Sequence, residues 1–434
     1  MKNKVTVIGA GLAGCEAAYY LAQKGIEVTL FEQKPVKKSP AHHIDSFAEL
    51  VCSNSLKAKR INSAGGLLKA EMRLLGSICL ESADKCEVPA GGALAVNRYD
   101  FSEYITEKIK NHKNITVINK EVTQIPDNEP VVIATGPLTE GEFAKSISNL
   151  TGDYLSFFDA AAPIVTAESI DMDSAFLQSR YDRGDSDDYI NCPMNKEEYE
   201  LFYNNLVEAQ SAEIHSFDKP TVYEGCMPIE IMAKRGADTM RFGPLKPVGL
   251  TNPKTGHRPW ANLQLRKENK EASLYNLVGF QTNLKFGEQK RVFSLIPALK
   301  NAEFVRYGVM HRNSFINSPK LLDNHFKLKS KENIWFAGQI TGVEGYMESA
   351  MSGIIAAISV YRLLKGEKQL ELPNTTMCGA LTTYISTDDK KDFQPMGANF
   401  GIIPHEDVKI KNKQERYSKI AEKAIKDLKS VIGG

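Results

Sequence analysis

A glycine-rich turn near the start of the chain constrains the fold more strongly than any other feature. An apolar stretch predicted as a strand, Lys4 to Ile8, leads into Gly9-Ala10-Gly11-Leu12-Ala13-Gly14 and a helical pattern that ends at Gly25. In this spacing the first glycine permits a tight turn, the second lets backbone approach a pyrophosphate, and the third lets the helix pack on the strand. The segment therefore predicts a βαβ unit of the dinucleotide-binding type.

The acid that completes this fingerprint is Glu32. It follows the second predicted strand, Val28 to Phe31, and stands 18 residues after Gly14. An acid at this place hydrogen-bonds the ribose hydroxyls of a bound adenosine. We therefore predict that a dinucleotide is bound by Gly9, Ala10, Gly11, Leu12, Ala13, Gly14 and Glu32.

Two later strand–turn segments favour FAD over NAD as that dinucleotide. Val131 to Pro137 is an apolar strand pattern that ends in a small-residue turn, and Asn333 to Gln339 is another. A long helix predicted from about Glu348 to Leu364 follows the second, and its N-terminus would reach the flavin side of FAD. The turns add Gly136, Gly338 and Gln339 to the predicted cofactor-binding residues. The sequence has no second Gly-x-Gly-x-x-Gly, so a dedicated NAD(P)H-binding domain is not predicted.

These segments predict an α/β fold, with a Rossmann-like FAD-binding domain of the two-dinucleotide-fold flavoprotein type and an inserted smaller α/β domain. We assign residues 1–150 to the first part of the FAD-binding domain and residues 151–295 to an inserted substrate domain. Residues 296–434 then form the second part of the FAD-binding domain and an amphipathic C-terminal helix from about Lys413.

Composition excludes several classes of protein. The 434 residues are 42% hydrophobic and carry a formal net charge of +1, which does not fit a globally basic nucleic-acid binder. An RNA contact would need a local patch, for which Arg266-Lys267, Lys409 to Lys413 and the surroundings of Arg180 and Arg183 are candidates, although each is typical of a solvated face. No stretch has the apolar length of a membrane span and no secretory signal precedes the first strand, so we expect a cytoplasmic protein without a membrane contact.

The cysteines are the candidates for covalent chemistry. Seven are scattered without close spacing, which predicts reduced thiols rather than a disulfide framework or a zinc site. His42-His43 lacks further ligands, and we expect no metal. Cys226 lies in a turn between Gly225 and Pro228, and Cys52 stands beside Ser53 and Asn54 before a predicted helix. Each is either a small buried residue or a reactive thiol; for Cys226 the residue types alone favour burial.

A further candidate site follows the apolar pattern at Val305. His311, Arg312 and Asn313 are three consecutive polar residues at what reads as a strand end facing a ligand. The ring of His311 could stack on a planar heterocycle, or it could be an ordinary surface or hydrogen-bonded histidine. We predict that these three residues face a ligand.

Together these segments resemble one family, the folate- and FAD-dependent tRNA uridine C5 methyltransferases (TrmFO), and the resemblance covers essentially the whole chain. The matching segments are Val7 to Gly14, Ala41-His42-His43, Glu49 to Leu56, Val88 to Val96, Ile133 to Leu138, Asp159 to Val165, Glu224 to Glu230, Phe242 to Leu250, Arg306 to Asn313 and Gly338 to Ser349. One departure is Met351, where the family pattern has a small residue.

The resemblance implies a reaction and a role for each cysteine. The family methylates C5 of a uridine, most often the T-loop uridine of tRNA, with methylenetetrahydrofolate as one-carbon donor. Reduced FAD is the methylene carrier and hydride donor, and NADH or NADPH is the reductant. Cys226 matches the nucleophile that adds to C6 of uracil, and Cys52 matches the general base that removes the C5 proton. His311 would lie against the folate, and with Arg312 and Asn313 it would bind the folate or the substrate.

Three alternatives stay open at this point. Close paralogues methylate a uridine of 23S rRNA with the same residues, so the RNA substrate is not fixed by these motifs. A flavin oxidoreductase acting on a small molecule, with bystander cysteines, would carry the same dinucleotide fingerprint. A non-catalytic RNA-binding subunit of a larger modification complex, similar to the longer GidA-type proteins, would also bind FAD.

Overall fold

The computed structural model describes residues 4–39, 41–152, 154–182, 188–212, 227–388, 393–404 and 410–433. The side chains of residues 157–159, 182 and 311 are also outside the described set. Cys226 and the basic residues Arg183 and Lys409 therefore lie outside the described residues. For His311 only the backbone is described.

Strands and helices alternate along most of the described chain. In chain order they are β1 Lys4–Ile8, α1 Leu12–Gln23, β2 Glu27–Glu32, β3 Ser55–Ala58, α2 Ala64–Leu74, α3 Ile78–Lys85, β4 Glu87–Val88, β5 Ala93–Val96, α4 Arg98–Lys110, β6 Ile115–Asn119, β7 Val131–Ile133, α5 Gly141–Thr151, β8 Leu155–Ala160, β9 Ile164–Thr166, β10 Phe176–Leu177, β11 Tyr189–Met194, α6 Lys196–Glu208, α7 Ile229–Lys234, α8 Thr239–Phe242, β12 Ala261–Lys267, β13 Leu274–Leu277, α9 Phe286–Phe293, β14 Phe304–Arg306, β15 Met310–Phe315, α10 Ser318–Leu321, β16 Ile334–Phe336, α11 Tyr346–Lys365, α12 Met377–Ser386 and α13 Lys413–Ile432.

A five-stranded parallel sheet forms the first body of the protein. Its strand order is β16-β7-β1-β2-β6, so strands from the beginning and from the last third of the chain lie side by side. Every pairing in it is parallel. Both faces of such a sheet must be covered, which accounts for the continuous apolar runs of β1, β7 and β16. The predicted Rossmann-like α/β class is confirmed.

A six-stranded sheet with its own hydrophobic core forms the second body. Its order is β10-β11-β12-β13-β9-β14, and its neighbours are antiparallel. The core beneath it is separate from that of the parallel sheet. The last strand, β14, extends the second body past residue 295, where the sequence placed the end of the inserted domain, because Phe304 and Arg306 pair with β9. The division into domains stays a prediction.

Helix α11 joins the first body through close backbone contact. A Cβ atom on its Gly353 would overlap the carbonyl oxygen of Ala13 in α1, so the two helices can approach this closely only because residue 353 is glycine. Among the described residues α11 is the one helix long and apolar enough to cross a membrane, contrary to the prediction from hydropathy. Most of it is buried inside the protein, which explains its apolar composition.

Candidate functional site

A cavity of about 480 Å³ opens where β1, β7 and β16 end at their carboxyl termini. This edge is where open parallel sheets bind their ligands. Nine of the predicted cofactor residues line it: Gly9, Ala10, Gly11, Leu12, Ala13, Glu32, Gly136, Gly338 and Gln339. Gly14 does not line the cavity; a Cβ there would overlap the carbonyl oxygen of Gly9, so this glycine permits the close packing of α1 on the turn.

The first turn of α1 is shaped to accept an anion. A Cβ at Gly11 would meet no atom within 4 Å, so the space above this residue is open. Within the described chain, the α1 N-terminus has no side-chain cap and no acidic residue in its first turn. Free backbone N–H groups and the positive end of the helix dipole favour a phosphate there.

Glu32 holds the adjacent turn from the end of β2. Its Oε2 accepts a hydrogen bond from Ala10 N at 2.7 Å, and its Oε1 accepts one from Lys34 N at 2.9 Å. The carboxylate is buried yet lines the cavity, where a ribose hydroxyl could share its remaining acceptor sites. The open turn, the uncapped helix and this acid together fit a dinucleotide such as FAD.

The N-terminus of α11 meets the same cavity with a different chemistry. Glu348 lies in its first turn, is buried, and pairs with Lys57 at 2.9 Å between Oε1 and Nζ. The same Oε1 accepts a hydrogen bond from Ala398 N at 2.9 Å, while Oε2 has no hydrogen-bond partner among the described atoms. The positive end of this helix is therefore already matched by a carboxylate.

Cys52 contacts the first residue of α11. Its Sγ lies 2.9 Å from the Tyr346 hydroxyl, although the two residues are 294 positions apart. That hydroxyl also accepts hydrogen bonds from Cys52 N at 2.7 Å and Ser53 N at 3.2 Å. A hydroxyl oxygen has two acceptor sites and one proton. Because both acceptor sites are occupied, the proton is left for Sγ, which then acts as the acceptor.

The protonation of this pair follows from burial. Desolvation, with the neighbouring Cys52, raises the pKa of the Tyr346 phenol well above its usual value, so the phenol keeps its proton at neutral pH. Cys52 is half-buried, whereas the other described cysteines (Cys15, Cys79, Cys86, Cys192 and Cys378) are buried. Burial raises the pKa of each of those five thiols. Among the described thiols, Cys52 is therefore the one suited to reaction.

Three arginines donate hydrogen bonds to residues on either side of Cys52, and we call them the arginine clamp. Arg98 donates to Leu50 O at 3.1 Å, Arg306 donates to Val51 O, and Arg266 donates to Ser53 Oγ at 2.8 Å. Arg98 is on α4 in the first body, and the other two are on β12 and β14 in the second.

The clamp carries more positive than negative charge. Glu268 forms a buried salt bridge with Arg98 at 2.9 Å. Arg266 also donates to Asn54 Oδ1 at 2.9 Å. Cations beside a cysteine stabilise its thiolate form. The prediction that Arg266 belongs to a solvated face is wrong, because this side chain is buried and donates to Asn54 and Ser53.

The predicted folate-binding strand pairs with β8 across the whole of β15. Asn313 is buried and lines the cavity, as does Gln281. Arg312 is exposed and is not among the cavity-lining residues. The folate-binding roles of His311, Arg312 and Asn313 stay a prediction.

Cys226 lies outside the described residues, but the chain that follows it returns to this cavity. Ile229 N, at the start of α7, donates to Gln281 O at 2.7 Å, and Gln281 lines the cavity. Within the described part of the chain, no group of three or more His, Cys, Asp or Glu side chains could hold a metal ion. His42 lines the cavity with Nδ1 2.6 Å from Ser39 Oγ, and burial lowers its pKa.

The sequence did not single out Tyr346, Arg98 or Glu268 as site residues. Tyr346 belongs to a segment that resembles the family, immediately after the glycine that precedes α11, so its position was a usable signal. Arg98 and Glu268 gave no local signal, since their pairing joins residues 170 positions apart.

Comparison with known proteins shows the family to which the chain is similar. The profile of the family described as "Glucose inhibited division protein A" (GIDA) matches residues 4–368. A protein of Acetivibrio thermocellus named methylenetetrahydrofolate--tRNA-(uracil-5-)-methyltransferase TrmFO is 58% identical over 433 residues, covering 100% of this chain and 99% of its own. Proteins with the same name from Listeria welshimeri and Bacillus licheniformis are 57% and 55% identical, each over 432 residues, covering 99% of both chains.

The solved structures of Aquifex aeolicus GidA share the fold. Two crystal forms superpose with TM-scores of 0.70 and 0.69 at 16% and 15% identity. Each alignment covers 99% of this chain, and 78% and 75% of the GidA chain respectively. At this identity the match concerns the fold alone.

Proposed function

The chain belongs to the TrmFO family of methylenetetrahydrofolate--tRNA-(uracil-5-)-methyltransferases, within the wider GIDA family, and on that premise we propose that it methylates C5 of a uridine in tRNA. Methylenetetrahydrofolate is the one-carbon donor, and the T-loop uridine is the target. The observation that carries the proposal is the Cys52–Tyr346 pair, whose two residues line the cavity that fits a dinucleotide. The relatives' names support tRNA over 23S rRNA.

FAD is the cofactor that fits the cavity. The open Gly11 turn and the α1 N-terminus would hold its pyrophosphate, and Glu32 would hold its adenosine ribose. Gly338 and Gln339 would face its flavin side. When bound and reduced, FAD would supply the one-carbon transfer and the hydride that completes the methyl group, with NADH or NADPH restoring its reduced state.

The chain's own residues supply nucleophile and base. C5 of uracil is a weak nucleophile, so a thiolate first adds to C6, and the electron pair of the C5–C6 bond moves into the ring as an enolate. We assign this addition to the Cys226 thiolate. After C5 has bonded to the one-carbon unit, a base takes the C5 proton, and the electron pair left on C5 expels the carrier's amine to give an exocyclic methylene on uracil. Addition of a hydride to that methylene would complete the methyl group as the S–C6 bond breaks, which restores the C5–C6 double bond and returns the thiolate.

Cys52 is the proposed base for that proton. A sulfur that accepts the Tyr346 hydroxyl proton in a hydrogen bond, with the arginine clamp around it, is set up as a thiolate. Tyr346 positions Sγ and does not exchange its own proton, because its pKa is raised. The clamp fixes the loop, so the base is held at one place relative to the cavity.

Purified protein supplied with methylenetetrahydrofolate, NADPH and a tRNA transcript tests the proposal. We expect wild type to form 5-methyluridine in the T-loop, and Cys226→Ala and Cys52→Ala to form none above background. Cys192→Ala is the matched control, since this thiol is buried in the second core and should leave methylation intact. Full activity in Cys226→Ala would refute the nucleophile assignment.

The RNA substrate and the competing reaction class need separate arms of that experiment. A 23S rRNA fragment in place of tRNA should stay unmodified, and methylation of the rRNA alone would move the enzyme to that substrate. NADPH oxidation driven by a small metabolite, with no methyl entering either RNA, would instead favour a small-molecule flavin oxidoreductase.

A further inference from the structure

One of the two tryptophans in the chain lies on the surface of the second body. Trp335 is fully buried and donates from Nε1 to Ser359 Oγ at 3.0 Å, as expected for a core tryptophan. Trp260, by contrast, is 39% exposed. An exposed large aromatic side chain is a candidate for contact with a ligand, because its exposure does not stabilise the fold as burial would.

Cationic side chains surround the Trp260 ring. The Arg241 guanidinium carbon lies 3.8 Å from the ring centroid, and the Lys196 ammonium lies 5.9 Å from it. Arg241 is held in place, since its Nε donates to Trp260 O at 3.0 Å and its Nη1 pairs with Asp238 at 2.5 Å. The ring and the guanidinium are therefore fixed relative to each other without a ligand.

The ring borders a groove of about 620 Å³, which we call the Trp260 groove. Its lining includes the cations Lys196, Arg241 and Arg258, and the amides of Asn195 and Asn252. Among the described lining residues the one acid is Glu198, and it is engaged elsewhere: its Oε2 accepts a hydrogen bond from Asn195 N at 2.8 Å in the capping box of α6. Arg241 is paired with Asp238, and Lys196 lies 3.7 Å from a Glu200 carboxylate oxygen, whereas no ion pair of Arg258 appears among the described residues. The groove thus offers an aromatic face, hydrogen-bonding amides and cationic groups.

The Trp260 groove and the Cys52 site lie at opposite ends of one strand. Trp260 directly precedes β12, and Arg266 near the end of β12 donates to Ser53 beside Cys52. Six residues of antiparallel strand span about 20 Å. A ligand in the groove is therefore too far away to react at Cys52, but a polymer could reach both places.

We propose that the Trp260 groove binds an unpaired nucleotide of the RNA substrate, with the base stacked on Trp260 and the phosphate beside Lys196 and Arg258. This inference rests on the proposed function and identifies a second contact for the same substrate. Single-stranded RNA is held in this way, by stacking on aromatic rings and by cations along the backbone. A free dinucleotide such as NADPH has the same chemistry, but bound here its nicotinamide could not contact a cofactor in the cavity.

Binding of a tRNA transcript to Trp260→Ala and Trp260→Phe in the full-length, flavin-loaded protein tests the proposal. We expect the Ala variant to bind roughly 5- to 150-fold more weakly, the range for loss of one stacked base, and its KM for tRNA to rise by the same factor. The Phe variant should recover most of the affinity, because it keeps a stacking face. Equal thermal midpoints of the two variants would show that folding is not the cause.

Two controls sharpen this test. Phe286→Ala removes an exposed aromatic on α9 that stacks on Tyr307 outside the groove, and it should bind tRNA like wild type. Tryptophan emission should be quenched when tRNA binds wild type and not when it binds Trp260→Phe, in which the buried Trp335 is the one remaining indole. Quenching that persists in Trp260→Phe would overturn the stacking assignment.

The outcomes separate this inference from the proposed function. Wild type that methylates tRNA, with Trp260→Ala binding equally well, would refute the groove and leave the function intact. Wild type that neither binds nor methylates RNA would refute the function itself. A raised KM for NADPH in Trp260→Ala, with unchanged tRNA affinity, would assign the groove to the dinucleotide and overturn the proposal.

Discussion

The protein uses the same strand–turn–helix design twice at one cavity, and the two copies differ in charge. In the first, β1 leads through Gly11 to α1, whose first turn has no acid and open space above it. In the second, β16 leads to α11, whose first turn contains the buried Glu348 and the phenol of Tyr346. One helix N-terminus is left for an anion, and the other is already matched by a carboxylate of the protein.

This difference separates binding from chemistry. Backbone N–H groups without competing side chains suit a phosphate, which needs positive potential and close approach. A helix start that carries a phenol and its own carboxylate suits a neutral or hydrogen-bonding part of a ligand, and it can position a reactive group such as Cys52. Identical topology thus gives two unlike halves of one site, because the first turn of each helix has different side chains.

The largest effect on activity is expected at the second copy, where Tyr346 begins α11. Tyr346→Phe removes the hydroxyl that binds Cys52 Sγ and two backbone amides, so methylation should fall by roughly 10²-fold or more. Bound flavin, measured by absorbance, should stay near wild type, because the first copy holds its phosphates. Tyr361→Phe on the same helix is the control and should keep full activity; a Tyr346→Phe enzyme as fast as wild type would remove the positioning role.

A smaller effect is expected where the two copies touch. Gly353→Ala would push a methyl group into Ala13 O and separate α11 from α1, which should lower the free energy of unfolding by about 3 kcal/mol. Urea denaturation measures the change. Gly287→Ala in α9 is the matched control, since a Cβ there meets nothing within 4 Å and should be neutral or slightly stabilising. Equal losses in both variants would contradict the close-packing argument.

The smallest effect is expected at the open turn of the first copy. Gly11→Ala places a methyl group in empty space at a backbone conformation that alanine accepts, so flavin-free stability should change by less than about 0.5 kcal/mol. The same methyl should weaken FAD binding about 10-fold, or about 1.4 kcal/mol, by filling the place of the pyrophosphate. Flavin fluorescence titration gives the affinity. Unchanged affinity would show that the pyrophosphate is not held at Gly11.

Local sequence patterns predicted the strands and helices of the two strand–turn–helix units. They did not predict contacts between segments that are far apart in the chain. The glycine fingerprint located β1, α1 and β2, and apolar periodicity located α11 and α13, because each signal lies within one short segment. The antiparallel second sheet and the contact between Cys52 and Tyr346 join segments far apart in the chain. Single-sequence periodicity carries no information on such pairings.

The burial of charged side chains also could not be predicted from local sequence. Arg266 looks like a surface residue in sequence, next to a lysine and amid polar neighbours. It is buried because Ser53 and Asn54, more than 200 positions earlier, supply the acceptors that a buried guanidinium requires. A charged residue can be predicted as buried only when its partners are known.

The arginine clamp also gives the Cys52 loop a mechanical role. One of its three arginines belongs to the first body and two belong to the second, and the Arg98–Glu268 salt bridge joins the two bodies. The geometry of the Cys52 loop therefore depends on how the two bodies are aligned. If one body shifts, the carbonyl oxygens of Leu50 and Val51 lose their hydrogen-bond donors, and Cys52 Sγ moves away from the Tyr346 hydroxyl. The position of Cys52 Sγ therefore depends on the packing of the two bodies against each other.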